Sequence, residues 1–131
     1  MPPAAPVGGT VLVVDPSRTL RKLIGLTLAA DGYTVVEAED AREAGEALAG
    51  GLPAVLVTAA GLPDGDGYEL IRAVRERCGK LPVVLLTDRE GTFDRARGQR
   101  VGVDAHLPKP LRPAALRAAV KRGRTPAEVM S

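Results

Sequence analysis

Five short runs rich in Val and Leu recur along the chain, and they constrain its fold more than any other feature. They are VLVVD (11–15), YTVVE (33–37), AVLVT (54–58), PVVLLT (82–87) and the weaker VDAHL (103–107). Three are nearly continuous in hydrophobicity, as strands buried on both faces are. Segments of helical period lie between them. Ser17 is placed to cap a first helix in which Leu20, Leu23, Ile24, Thr27 and Leu28 share a face, with Gly32 as its stop. Asp40 caps a second, with Glu43 as capping-box partner and Ala44, Ala47 and Leu48 inward. A third turns Leu70, Ile71, Val74 and Cys78 inward and stops at Gly79. A fourth, over 89–100, is weak: Gly91 and Gly98 interrupt it, and only Phe93 and Ala96 are clearly apolar. The fifth starts near Pro113 and buries Leu116, Ala119 and Val120. Strands alternating with helices imply an α/β fold with a central parallel sheet. Right-handed crossovers put helices on both faces, and ligands bind outside the carboxyl ends of the strands.

The chain has 131 residues, 45% of them hydrophobic, enough for one domain with one sizeable core. Residues 10–122 form that domain; 1–9 read as a flexible tail and 123–131 as a tail or the start of a linker. The net charge is only +2, but it is unevenly spread. Residues 1–79 carry 7 Lys+Arg against 11 Asp+Glu, and residues 80–131 carry 11 against 5. No aromatic residues interleave with the C-terminal cations and no helix-turn-helix signature accompanies them, so they read as a solvated basic face rather than a nucleic-acid surface. Cys78 is the one cysteine, which rules out a disulfide within the chain and points to a reducing compartment and a buried structural thiol. No run approaches the length of a membrane span, and the N-terminus lacks the basic start and apolar middle of a signal peptide. A cytoplasmic location is expected.

Chemistry is expected at the strand ends. Asp15 ends the first, Thr87 the fourth, and Lys109 follows the fifth. Singly, each has a plain reading as a turn residue, a helix cap and a solvated charge. Together, at neighbouring strand ends, they make an anion or metal-phosphate site.

These stretches resemble the receiver domain of bacterial two-component response regulators. VLVVDPSRTLRKLI is similar to that family's first strand and helix, GLPDGDGYEL to its loop and third helix, PVVLLT to its fourth strand, and GVDAHLPKPL to its fifth strand with a Lys-Pro pair. The resemblance runs in one order over about residues 10–122. It implies a flavodoxin-like, doubly wound, five-stranded parallel sheet in the order 2-1-3-4-5 with five helices. It further implies that a pair of acids after strand 1 helps bind Mg²⁺ and that an Asp ending strand 3 accepts a phosphoryl group from a histidine kinase. A hydroxyl and a lysine then contact that group, and the face made of helix 4, strand 5 and helix 5 rearranges. Carried over, the first acid is Asp15, the hydroxyl Thr87 and the lysine Lys109. Lys109-Pro110 stands at a junction that is often cis in the family, and His106 stands where the family has a switch aromatic.

Two positions depart: the second acid is Pro16, and the phosphoacceptor is Ala59. A methyl group is no nucleophile. Of three family carboxylates only Asp15 remains, so Mg²⁺ binding is expected to be weak or absent. Lys109 loses the carboxylate at position 59, leaving Asp15 to pair with it. Strand alternation points Thr58 away from the site; Asp64 and Asp66 read as turn formers and Asp88 as a helix cap. The expectation is a non-enzymatic pseudo-receiver that binds no cofactor and acts by protein–protein contact with a kinase, a regulator or an output domain. Its partner face would carry Arg95, Arg97, Arg100, Arg112, Arg117, Lys121 and Arg122, and the same face could support a homodimer. The alternatives are phosphorylation at an atypical residue and small-anion sensing at the relic pocket.

Overall fold

The computed structural model describes residues 9–88 and 94–124. Five parallel strands alternate with five helices: β1 Thr10–Val14, α1 Arg18–Ala29, β2 Thr34–Ala38, α2 Ala41–Ala49, β3 Val55–Ala59, α3 Gly67–Arg77, β4 Val83–Thr87, α4 Arg95–Val101, β5 Ala105–Pro108 and α5 Pro113–Arg124. The sheet order is β2-β1-β3-β4-β5, the flavodoxin-like order that the resemblance implies. A two-rung antiparallel ladder, Gly61–Leu62 with Gly65–Asp66, closes the loop between β3 and α3.

Strand alternation divides the core in two. Leu12, Val14, Leu56, Val83 and Leu85 face one way, against Ala44 and Leu48 of α2 and Leu70, Ile71 and Val74 of α3. Val11, Val13, Val55, Val57, Val84 and Leu86 face the other way, against Ile24 and Leu28 of α1 and Leu116, Ala119 and Val120 of α5. β1, β3 and β4 are buried on both faces, which is why their sequences are almost unbroken in hydrophobicity.

The helix ends follow local rules. Ser17 accepts from the Leu20 amide and Asp40 from the Glu43 amide. Glu43 reaches back to the Glu39 amide at 2.9 Å, one residue before the cap.

Several sequence readings change. Leu23 is 40% exposed: α1 turns Ile24 and Leu28 to the sheet and leaves this edge of its apolar face in solvent. α3 ends at Arg77, and Cys78 is its half-buried cap in an extended conformation. The fourth helix is shorter and later than 89–100. Asp94, not Asp88, caps it, accepting from the Arg97 amide, and Ala96 is exposed. Gly91 and Phe93 lie outside the described residues. Gly102 ends α4 at φ 77°, a left-handed conformation that a side chain resists.

Asp64 is more than a turn former. Its carboxylate accepts from the amides of Ala41 and Arg42 at 2.8 and 3.0 Å, closing the first turn of α2. Asp66 caps α3 by accepting from the Glu69 amide. The loop after β3 is thus tied to the starts of two helices.

Candidate functional site

The register aligns the strand ends. Val14 pairs with Thr58, Ala59 with Leu86, and Thr87 with Pro108. Asp15, Ala59, Thr87 and Lys109 therefore lie at one carboxyl edge, on β1, β3, β4 and just past β5. Main-chain bonds extend the strands there: the Asp15 amide donates to the Ala38 carbonyl, Ala60 to Leu86, and Lys109 to Thr87. The Lys109-Pro110 peptide is cis.

Asp15 is fully buried. Its Oδ1 accepts from the Ser17 amide at 2.8 Å, and its Oδ2 lies 2.8 Å from Lys109 Nζ. That second contact is an ion pair without the angle of a directed hydrogen bond, since Oδ2 has no hydrogen-bond partner. Its main-chain carbonyl accepts from Arg21 Nη1 at 2.7 Å. Arg21 Nε and Lys22 Nζ donate to the two oxygens of Glu37 at 3.0 and 2.9 Å. The Lys22 hydrogen bond holds the Glu37 carboxyl below its usual range against partial desolvation, and Arg21 adds to the effect. Sequence reasoning passed over this Arg21–Glu37–Lys22 buttress. Arg21 and Glu37 are 16 residues apart, and no local pattern links them.

Ala59 is 2% exposed, and Thr87 is buried too. The backbone around Ala59 is tightly closed. A Cβ on Gly67 would meet the Ala59 carbonyl oxygen at 2.1 Å, and the Gly67 amide donates to Ala60. The neighbouring Thr58 hydroxyl donates to the Ala59 carbonyl at 3.0 Å. Pro16, beside Asp15, is exposed and offers no side-chain oxygen. Mg²⁺ prefers octahedral oxygen coordination, with one or two carboxylates commonly supplied by protein. Here there is one carboxylate, and an ammonium already lies against it. Among the described residues no group of three or more His, Cys, Asp or Glu side chains is placed to hold a metal. Asp15, already paired with Lys109, is a poorer donor set for Mg²⁺ than the three carboxylates that the family resemblance implies.

The family model for the response regulator receiver domain matches residues 11–121. The chain belongs to that family. The receiver domain is 37% identical over 101 residues to response regulator MprA of Mycolicibacterium vanbaalenii, covering 77% of this chain and 44% of that protein. It is 42% identical over 101 residues to the virulence transcriptional regulatory protein PhoP of Salmonella typhimurium, covering 77% and 45%. The chain thus spans less than half the length of the curated relatives it matches. Among solved structures it is similar to a putative response regulator from Chloroflexus aurantiacus, with TM-score 0.81, 31% identity, and 88% and 97% of the two chains covered. It is also similar to the chemotaxis response regulator CheY4 of Vibrio cholerae, with TM-score 0.79, 30% identity, and 87% and 97% covered.

Some of the receiver's C-terminal cations are paired with acids of the same chain. Arg97 Nη2 bonds Asp66 Oδ2 at 2.9 Å, and its guanidinium lies 4.3 Å from the centroid of the Tyr68 ring. Arg117 makes two bonds, of 2.8 and 2.7 Å, to Asp31 at the end of α1. Those bonds hold the Asp31 carboxyl below its usual range, outweighing desolvation, and Lys121 contributes to the same field. Arg95, Arg100, Arg112, Lys121 and Arg122 are exposed. His106 is exposed on β5, opposite Leu85.

Proposed function

We propose that this receiver domain signals without phosphorylation or a metal cofactor, as a non-enzymatic protein-interaction module of a two-component pathway. The observation that carries the reading is Ala59. At the end of β3, level with Asp15 and next to the Thr87 strand, the chain presents a buried methyl group. Phosphoryl transfer needs an oxygen nucleophile in line with the donor phosphorus. The adjoining hydroxyl in the chain, Thr58, donates to the Ala59 carbonyl. The pairing of Lys109 with Asp15 supports the same reading, because it occupies the lysine that would meet a phosphoryl oxygen.

The partner surface is the α4–β5–α5 face, and its exposed cations are Arg95, Arg100, Arg112, Lys121 and Arg122. Arg97 and Arg117 are each engaged in an ion pair within the chain. A protein surface rich in carboxylates, on a kinase, a regulator, an output domain or a second copy, complements that charge.

The test is incubation with radiolabelled acetyl phosphate and Mg²⁺, followed by mass spectrometry of the intact chain. No incorporation is expected; stoichiometric incorporation at any residue sinks the reading. Titration with beryllofluoride, followed by amide NMR, tests the anion-sensing alternative. Saturable shifts at Thr87 and Lys109 would replace an interaction module with a ligand sensor.

A further inference from the structure

Arg97 of α4 and Asp66 of the loop after β3 are joined by one bond, from Arg97 Nη2 to Asp66 Oδ2 at 2.9 Å. The second oxygen of Asp66 is committed elsewhere. Its Oδ1 accepts from the Glu69 amide at 2.8 Å, as the cap of α3. A guanidinium meets a carboxylate best through two parallel bonds, and this pair makes one. The pair is also half-exposed, at 36% for the Arg97 side chain and 34% for that of Asp66. Ion pairs this open to water contribute little to stability, so a better acceptor displaces one at small cost. The buried Tyr68 ring lies 4.3 Å from the guanidinium and keeps the cation in place independently of Asp66.

We propose that the Arg97–Asp66 pair is an autoinhibitory latch. The Asp66 carboxylate stands in for one that an acidic partner brings, and it holds Arg97 back from the exposed Arg95 and Arg100 of the same helix. A partner carboxylate with both oxygens available takes the guanidinium by making two bonds in place of one. Release has a second effect. Asp66 pairs with Gly61 in the short ladder that closes the loop after β3, so the exchange removes a tie between α4 and the loop that leaves Ala59. Partner binding is thereby coupled to the carboxyl edge of the sheet without a phosphoryl group. The inference rests on the reading that the α4–β5–α5 face binds an acidic partner. It adds which acid of the chain competes with that partner.

The test is the fluorescence anisotropy of a labelled polyglutamate peptide titrated with the full chain at low ionic strength, where surface charge is least screened. Asp66→Asn removes the charge and keeps the cap, since Asn caps a helix as well as Asp does. It is expected to bind the peptide roughly twofold to fivefold more tightly than wild type, the range that the strength of an exposed ion pair allows. Glu46→Gln is the control. It releases Arg42 on α2 and changes the net charge by the same amount, and it is expected to gain less. In an Arg97→Gln background, Asp66→Asn is expected to gain no more than that control does.

Asp66→Ser, which also caps, is measured alongside and decides should Asp66→Asn not fold; failure of both to fold assigns Asp66 to structure and overturns the latch. An Asp66→Asn protein that binds no more tightly than wild type, a gain matched by Glu46→Gln, or a gain that survives Arg97→Gln each overturns it too. Amide NMR of the wild type with the same peptide separates the two readings. Shifts across 95–122 without the Asp66→Asn gain overturn the latch and leave the face standing, whereas shifts confined to other residues overturn both.

Discussion

At the scale of single residues, two small side chains decide most of the chemistry. In the proposed reading, Ala59 leaves the site without a nucleophile and Pro16 leaves it without a second acidic ligand. Restoring one does not restore the other. Ala59→Asp alone is therefore expected to give no rapid Mg²⁺-dependent labelling by acetyl phosphate, measured as incorporated phosphate over time. Fast labelling of that single variant would show that Pro16 costs the metal site little. Gly67 matters for a different reason. The main chain leaving β3 folds back on the start of α3, and any side chain at 67 strikes a carbonyl oxygen that backbone pairing holds in place. Gly67→Ala is expected to destabilise the domain by about 1–3 kcal/mol, as overpacking does, read as a lower urea midpoint with unchanged slope.

At the scale of elements, α4 is the instructive case. It has seven residues and an internal Gly98, and its own propensity is too weak to hold it. Tertiary contacts fix it at both ends. At its start, Arg97 joins Asp66 and the Tyr68 ring, and the Asp94 amide donates to the Tyr68 hydroxyl at 3.2 Å. At its finish, Arg75 of α3 donates to the carbonyls of Val101, Gly102, Gly79 and Leu81. Gly102 suits that turn by its positive φ, and a Cβ there would sit a tight 3.2 Å from Arg75 Nε. One arginine of the helix and one from α3 thus hold a helix that its local propensity does not. Arg97→Ala is expected to speed amide exchange across 95–101 while leaving α1 unchanged. Equal protection in variant and wild type would mean that Arg75 alone suffices. Arg75→Met leaves several carbonyls without their charged donor and is expected to cost about 1.5–3 kcal/mol.

At the scale of the whole molecule, long-range charge pairs join elements that the sheet brings close. Arg117 ties α5 to the end of α1, and Arg21 and Lys22 tie α1 to β2. The paired acids respond to pH in one direction. Asp31 is lowered from 3.8 by its hydrogen bond to Arg117, and Glu37 from 4.5 by its hydrogen bond to Lys22. A depressed folded pKa gives stability that is complete above the unfolded value and is lost as pH falls through the folded one. Stability is therefore expected to be flat from neutrality to about pH 5 and to fall below about pH 4. Arg117→Ala should soften that acid limb, as measured by urea midpoints across pH; an unchanged limb would assign the acid sensitivity to other groups. The alternation of strands and helices, the two apolar faces and the caps at Ser17 and Asp40 were legible in the sequence alone, because each follows from periodicity and residue chemistry within a few positions; the order of the sheet was legible only through the family resemblance. That position 59 carries a methyl group was legible too, and a methyl group has the same reactivity in any fold. The tertiary structure decided which charges meet. Arg97 with Asp66, Arg117 with Asp31, and Asp64 with the start of α2 are partners far apart in sequence. Long side chains choose partners by distance across elements, and that distance is set only once the sheet is assembled.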